Sequence, residues 1–149
     1  MTAPPDPFLE AFDGKFIGIR QWDHLDDLWK TMADQAGEQR WYAYAVGEAP
    51  PTDPLDRDHL AGFITGIDEL LRRDHDEPYC GIVYADDPKR PSFIKIYDPN
   101  NLGAVCGSSG TKVLPGWVLS ALRPTDLPMA FPQPGGRRRW WQRLLDSVG

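Results

Sequence analysis

The chain has 149 residues, 41% apolar and 26% charged, with six tryptophans, which is the size and make-up of one ordinary globular domain that buries a core without disulfide or metal staples. No segment approaches the roughly 18 to 20 apolar residues that span a bilayer, and Met1 to Phe8 (MTAPPDPF) lacks the basic start and apolar run of a secretory signal, so the expected location is cytoplasmic and Cys80 and Cys106 are expected as thiols. Residues 1 to 136 hold 12 positive and 21 negative side chains, a charge of −9, whereas Arg137, Arg138, Arg139 and Arg143 against Asp146 give the last thirteen residues +3; an acidic body repels phosphate backbones and argues against nucleic-acid binding.

Along the chain, Lys15 to Arg20 (KFIGIR) alternates apolar and polar residues and predicts a first strand. Asp23 has the character of an N-cap, and Leu25, Leu28, Trp29, Met32, Ala33 and Ala36 follow at helical spacing until Gly37, which suits the residue after a helix end. Arg40 to Gly47 (RWYAYAVG) is rich in β-forming residues and predicts a second strand. A second helix carries Leu60, Phe63, Ile64, Ile67, Leu70 and Leu71 on its apolar face, capped by Asp56 or Asp58. Gly62 and Gly66 lie inside it, either to let a strand pack closely or simply tolerated at about 1 kcal/mol each relative to alanine.

From Tyr79 the pattern turns to strands and turns: Tyr79 to Ala85, Ser92 to Tyr97, Leu102 to Cys106 and Trp117 to Leu122, separated by Asp86-Asp87-Pro88, Asp98-Pro99-Asn100-Asn101 and a Gly/Ser loop. The order β-α-β-α-β-β-β-β predicts an α+β fold over residues 1 to 122, a mainly antiparallel sheet with two helices packed on one face; a βαβαβ start that pairs the early strands in parallel is the alternative. Residues 123 to 136 (RPTDLPMAFPQPGG) have the composition of an extended linker, and 137 to 149 that of an amphipathic basic tail.

Candidate chemistry concentrates between Tyr97 and Gly110 (YDPNNLGAVCGSSG). Asp98, Asn100 and Asn101 form Asx turns readily, while the amides and hydroxyls of Gly107, Ser108 and Ser109 could hold an anion or small ligand beside Cys106. The plainer reading is a pair of hairpin turns around a buried cysteine. Cys106, Asp98 and Ser108 are the weak catalytic candidates, since a thiol nucleophile needs exposure and a neighbouring cation. Gly110-Thr111-Lys112 is not a phosphate-binding P-loop, because the order differs and Pro115-Gly116 interrupts any following helix. His24, His59 and His75 have no metal-ligand spacing, and Asp86 and Asp87 sit in a turn, so neither a metal nor another cofactor is expected.

In the tail, Trp140, Trp141, Leu144 and Leu145 recur at helical spacing among Arg138, Arg139 and Arg143. Adjacent tryptophans call for cover, from the chain's own body, from a protein partner, or more weakly from a membrane surface. The segment PSFIKIYDPNNLGAVCGSSG with LPGWVLS, residues 91 to 120, resembles small proteobacterial proteins, some of them associated with nitrogen-fixation gene neighbourhoods. That resemblance implies an accessory or regulatory protein acting on a metalloenzyme system and assigns no residue a role. The resulting expectation is a non-enzymatic protein that binds another protein through Trp140, Trp141, Arg138, Arg139 and Leu144, with Asn100, Asn101, Gly107, Ser108 and Ser109 as ligand-binding candidates. The alternative is a small-ligand-binding or thiol-dependent enzyme centred on Asp98 to Gly110.

Overall fold

A computed structural model describes residues 6–35, 37–100 and 114–131. Its elements are α1 (Pro7–Phe12), β1 (Ile17–Ile19), α2 (Trp22–Gln35), β2 (Tyr42–Ala45), α3 (Arg57–Asp74), β3 (Val83–Ala85), β4 (Phe93–Ile96), β5 (Trp117–Ser120) and α4 (Leu127–Ala130). The strands form one five-stranded sheet in the order β1-β3-β4-β5-β2. Every pairing is antiparallel, with Gly18 opposite Tyr84, Tyr84 opposite Lys95, Lys95 opposite Val118, and Val118 opposite Tyr44. The fold is therefore α+β, and the parallel alternative does not occur. The early strands β1 and β2 lie at opposite edges with the β3-β4-β5 meander between them. Among the described residues, no helix is long and apolar enough to cross a membrane.

Period-two alternation divides the apolar residues into two clusters. One joins Leu25, Leu28, Trp29 and Met32 of α2 and Leu60, Ile67 and Leu71 of α3 to Ile19, Val83, Ile94, Ile96 and Leu119 of the sheet. The other joins Phe8 and Phe12 of α1 and Leu127 of α4 to Tyr44, Phe93 and Val118. Each side chain buried in these clusters contributes roughly 1.5 to 3 kcal/mol.

Local signals set the helix ends. Asp56 caps α3, its Oδ1 accepting from the His59 amide at 2.7 Å, and that hydrogen bond, with the His59 ring beside it, lowers the Asp56 pKa. α2 begins at Trp22, so Asp23 lies in the first turn and not at the cap; the amides of His24 and Leu25 donate to the Gln21 carbonyl instead. Gly47 and Gly81 have positive φ, and Gly37 follows the end of α2 at Gln35, in keeping with its place after a helix end. A Cβ there would sit 2.7 Å from Arg57 Nη2, the far end of an exposed and flexible side chain. Gly62 and Gly66 face open space, so close strand packing is not what they serve.

α1 and α4 are absent from the sequence reading. Asp6 caps α1 through Oδ1, which accepts from the amides of Phe8 and Leu9 at 2.9 and 3.1 Å, while its Oδ2 accepts from the Thr125 hydroxyl. α4 falls inside the stretch read as a linker. Leu127 is fully buried, its amide donates to the Tyr44 hydroxyl at 3.1 Å, and Phe131 stacks on Phe12 at 5.6 Å. Residues 123 to 131 thus belong with the body, while 132 to 136, the tail, and the predicted strand Leu102 to Cys106 lie outside the described residues.

Two measurements test this closure of the second face. Tyr44→Phe strands the buried Leu127 amide and should cost about 1 to 3 kcal/mol in urea unfolding. The Thr125 hydrogen bond, with smaller contributions from the Leu9 and Phe8 amides and against the opposing effect of burial, holds the Asp6 carboxyl below its ordinary pKa. Its stabilisation is therefore complete above the unfolded pKa and disappears as pH falls through the folded value. Asp6→Asn should flatten the fall in stability below about pH 4, measured against the native chain across an acid titration.

Candidate functional site

The segment favoured by sequence begins at the end of β4. Asp98 Oδ1 accepts from the Asn100 amide at 2.9 Å, the expected Asx turn. Asn100 Nδ2 donates to Asp74 Oδ2 at 3.0 Å, tying the turn to the end of α3. Asp74 also pairs with Arg73 at 2.9 Å, and the hydrogen bonds from Arg73 and then Asn100 lower its pKa. Gly116 abuts the turn from the far side, where an added Cβ would lie 2.9 Å from the Asp98 Cβ. Asp98 and Asn100 are thus brought together as parts of a tight turn. Asn101, Cys106, Gly107, Ser108 and Ser109 lie outside the described residues, as do Arg138, Arg139, Trp140, Trp141 and Leu144.

The other chemical candidates serve the backbone. Asp86 Oδ1 accepts from the amides of Asp87, Ser92 and Phe93 at 2.9, 2.9 and 3.1 Å, and Oδ2 accepts from the Ser92 hydroxyl, so this carboxylate locks the β3–β4 connection. Asp87 accepts from the Lys89 amide at 3.0 Å. Cys80 is fully buried, and burial pushes its thiol pKa up against the opposing effect of the Ile82 and Val83 amides. His59 rests beside Asp56 at 2.8 Å at the start of α3.

What the sequence reading missed is a cleft between β1 and α2, to which Pro88 and Lys89 of the β3–β4 connection also contribute. Its volume is about 320 Å³. Ile17, Ile19 and Leu28 supply apolar lining, while His24, Asp27 and Thr31 come from one side of α2 and Lys89 from the connection. Ile17, within the predicted first strand, is 56% exposed. Its position on the final strand of the described sheet explains that exposure, and strand periodicity alone carries no information about which strand is outermost. The cleft combines apolar lining, carboxylate, lysine and hydroxyl beside a strand whose second edge is unpaired among the described residues.

Cys80 offers a direct check, because an inert buried thiol reacts only when the surrounding structure opens. In a Cys106→Ser background, alkylation of Cys80 at neutral pH should be slow and should accelerate with sub-denaturing urea. Rapid labelling without urea would contradict the buried position. No protein-family description, curated protein or solved structure matches this chain.

Proposed function

We propose that this chain is a non-enzymatic accessory or regulatory protein of the cytoplasm that works by binding another protein. The observation that carries the reading is β1, outermost among the described strands, where Ile17 stands 56% exposed beside the cleft. An unpaired strand edge presents backbone donors and acceptors in the pattern an added strand satisfies, and neighbouring pockets take alternate side chains. The commitment of Asp86 and Asp98 to turns and of Cys80 to the core supports recognition over covalent chemistry. Within the body, α2 and α3 together cover one face of the sheet, a reading supported by their shared cluster with Ile94, Ile96 and Leu119.

The basic tail is the second contact in this proposal. Trp140, Trp141 and Leu144 supply apolar area and Arg138 and Arg139 charge, the residue types that dominate interface energetics. A metalloenzyme setting, and nitrogen fixation in particular, rests on the resemblance of residues 91 to 120 alone.

The test compares capture of a partner from native lysate by four proteins: the full chain, Ile17→Lys, a chain ending at Gly136, and Trp140→Ala/Trp141→Ala. Ile17 is exposed, so Ile17→Lys should change stability by no more than about 0.5 kcal/mol. Tail deletion should leave the melting temperature nearly unchanged. Each change should reduce capture by about tenfold, corresponding to roughly 1.4 kcal/mol, and Trp140→Phe/Trp141→Phe should retain it. Capture unaffected by all three changes, or tail deletion that lowers the melting temperature strongly while sparing capture, would sink the reading.

A further inference from the structure

Where the start of α2 meets the end of α3, three rings and a guanidinium form one surface cluster. The Trp22 and His75 ring centroids are 6.2 Å apart, and His75 meets Tyr79 at 5.9 Å with the planes 81° apart. Arg72 lies over Trp22 at 4.9 Å from the ring centroid. Its Nη2 meets Asp26 at 2.6 Å and its Nε meets Asp68 at 3.0 Å. The Trp22 indole donates to the Glu77 carbonyl at 2.9 Å, which holds the chain after α3 against α2.

Tyr79 is 53% exposed, yet its ring is backed by fixed structure. Gly81 has φ +71°, and a Cβ on it would stand 3.2 Å from Tyr79 Cδ2. The ring therefore lies against a glycine whose conformation few other residues adopt, with His75 at its side. An exposed aromatic held in this way loses little freedom on binding.

The surrounding charge favours a cation. Arg72 and Arg73 are engaged by Asp26, Asp68 and Asp74. Asp23, Asp76 and Glu77 are exposed and form no ion pair among the described residues, with Arg20 the neighbouring positive charge. Carboxylates beside an open aromatic face attract a cation by charge and by ring quadrupole together.

We propose that this patch is a docking point for an arginine side chain of a partner protein, its guanidinium stacked on the exposed face of Tyr79 and paired with Asp76 or Glu77. Guanidinium fits better than ammonium because it is planar and weakly hydrated, and it keeps its in-plane donors free while stacked. Arg72 over Trp22 shows that contact already made within the cluster. The inference deepens the protein-binding reading and rests on it for a natural partner, but concerns residues other than those of β1 and the tail.

The experiment titrates the full-length protein with an acetylated, amidated Gly-Arg-Gly-Arg-Gly peptide and with its lysine and citrulline counterparts, following backbone amide shifts. The arginine peptide should produce saturable shifts centred on Trp22 and residues 75 to 81. Citrulline should produce none, and lysine should bind several-fold more weakly. Tyr79→Ser should abolish the shifts, Tyr79→Phe should keep them, and Asp76→Asn/Glu77→Gln should weaken binding on the order of tenfold and reduce its salt dependence. Shifts centred elsewhere, equal binding of the citrulline or lysine peptide, or loss of binding in Tyr79→Phe would overturn the proposal. Because capture through β1 and the tail is measured separately, this surface can fail while the broader reading stands.

Discussion

The architecture depends on the middle of the sheet being apolar on both sides. In β4, Ile94 and Ile96 enter one cluster and Phe93 the other; in β5, Leu119 and Val118 divide in the same way. A sheet of this kind cannot leave either face to water without exposing several large side chains. Residues of α2 and α3 share one cluster with the sheet. The other is assembled from pieces with little stability of their own: two helices of six and four residues, joined by the Asp6–Thr125 and Tyr44–Leu127 hydrogen bonds. Lys95 shows how tightly that second face is used, because its Nζ lies 4.0 Å from the Phe12 ring centroid and 4.1 Å from that of Phe16. The aliphatic stem of such a lysine packs with the core while its charge rests against aromatic faces.

Polar groups follow from the same demand for closure. Asp86 gathers three amides and a hydroxyl because a short connection between two buried strands must satisfy its own backbone. Arg72 bridges α3 to Asp26 on α2, and Asp68, which it also pairs with, accepts from the Trp29 indole at 3.0 Å. Exposed pairs of this type add little stability. Their consequence is orientation: they hold the ends of α2 and α3 in register, and with them Trp22 and the chain carrying Tyr79. Closure leaves Ile17 of β1 and the Tyr79 ring exposed.

Much of this was legible in the residues themselves. The spacing of Leu25, Leu28, Trp29 and Met32, and of Leu60, Ile67 and Leu71, established α2 and α3, because a single buried stripe imposes a 3.6-residue period. Asp56 marked a helix start, Asp86 and Asp98 marked turns, and β2 to β5 appeared as β-branched and aromatic runs, since each of these rests on contacts within a few residues. The Asp23 expectation failed at the same local level, because α2 starts one residue earlier and the Gln21 carbonyl takes the amides of His24 and Leu25.

Strand order, the short helices and the candidate surfaces were decided only by tertiary structure. Nothing in Ile17-Gly18-Ile19 states that its partner is Val83 to Ala85 or that its other edge is unshared in the described sheet, and the exposure of Ile17 follows from both. α1 and α4 are too short to persist alone, so Phe8 and Leu127 become helical because a distant sheet face needs covering. Tyr79 reads in sequence as the opening of a strand. It is instead an exposed ring backed by Gly81 and His75, because Trp22, more than fifty residues earlier, holds the Glu77 carbonyl. Sequence by itself determined the amphipathic elements and the Asp56 cap, whose physics is local; packing between residues far apart in the chain decided which of those elements meet and which surfaces remain open.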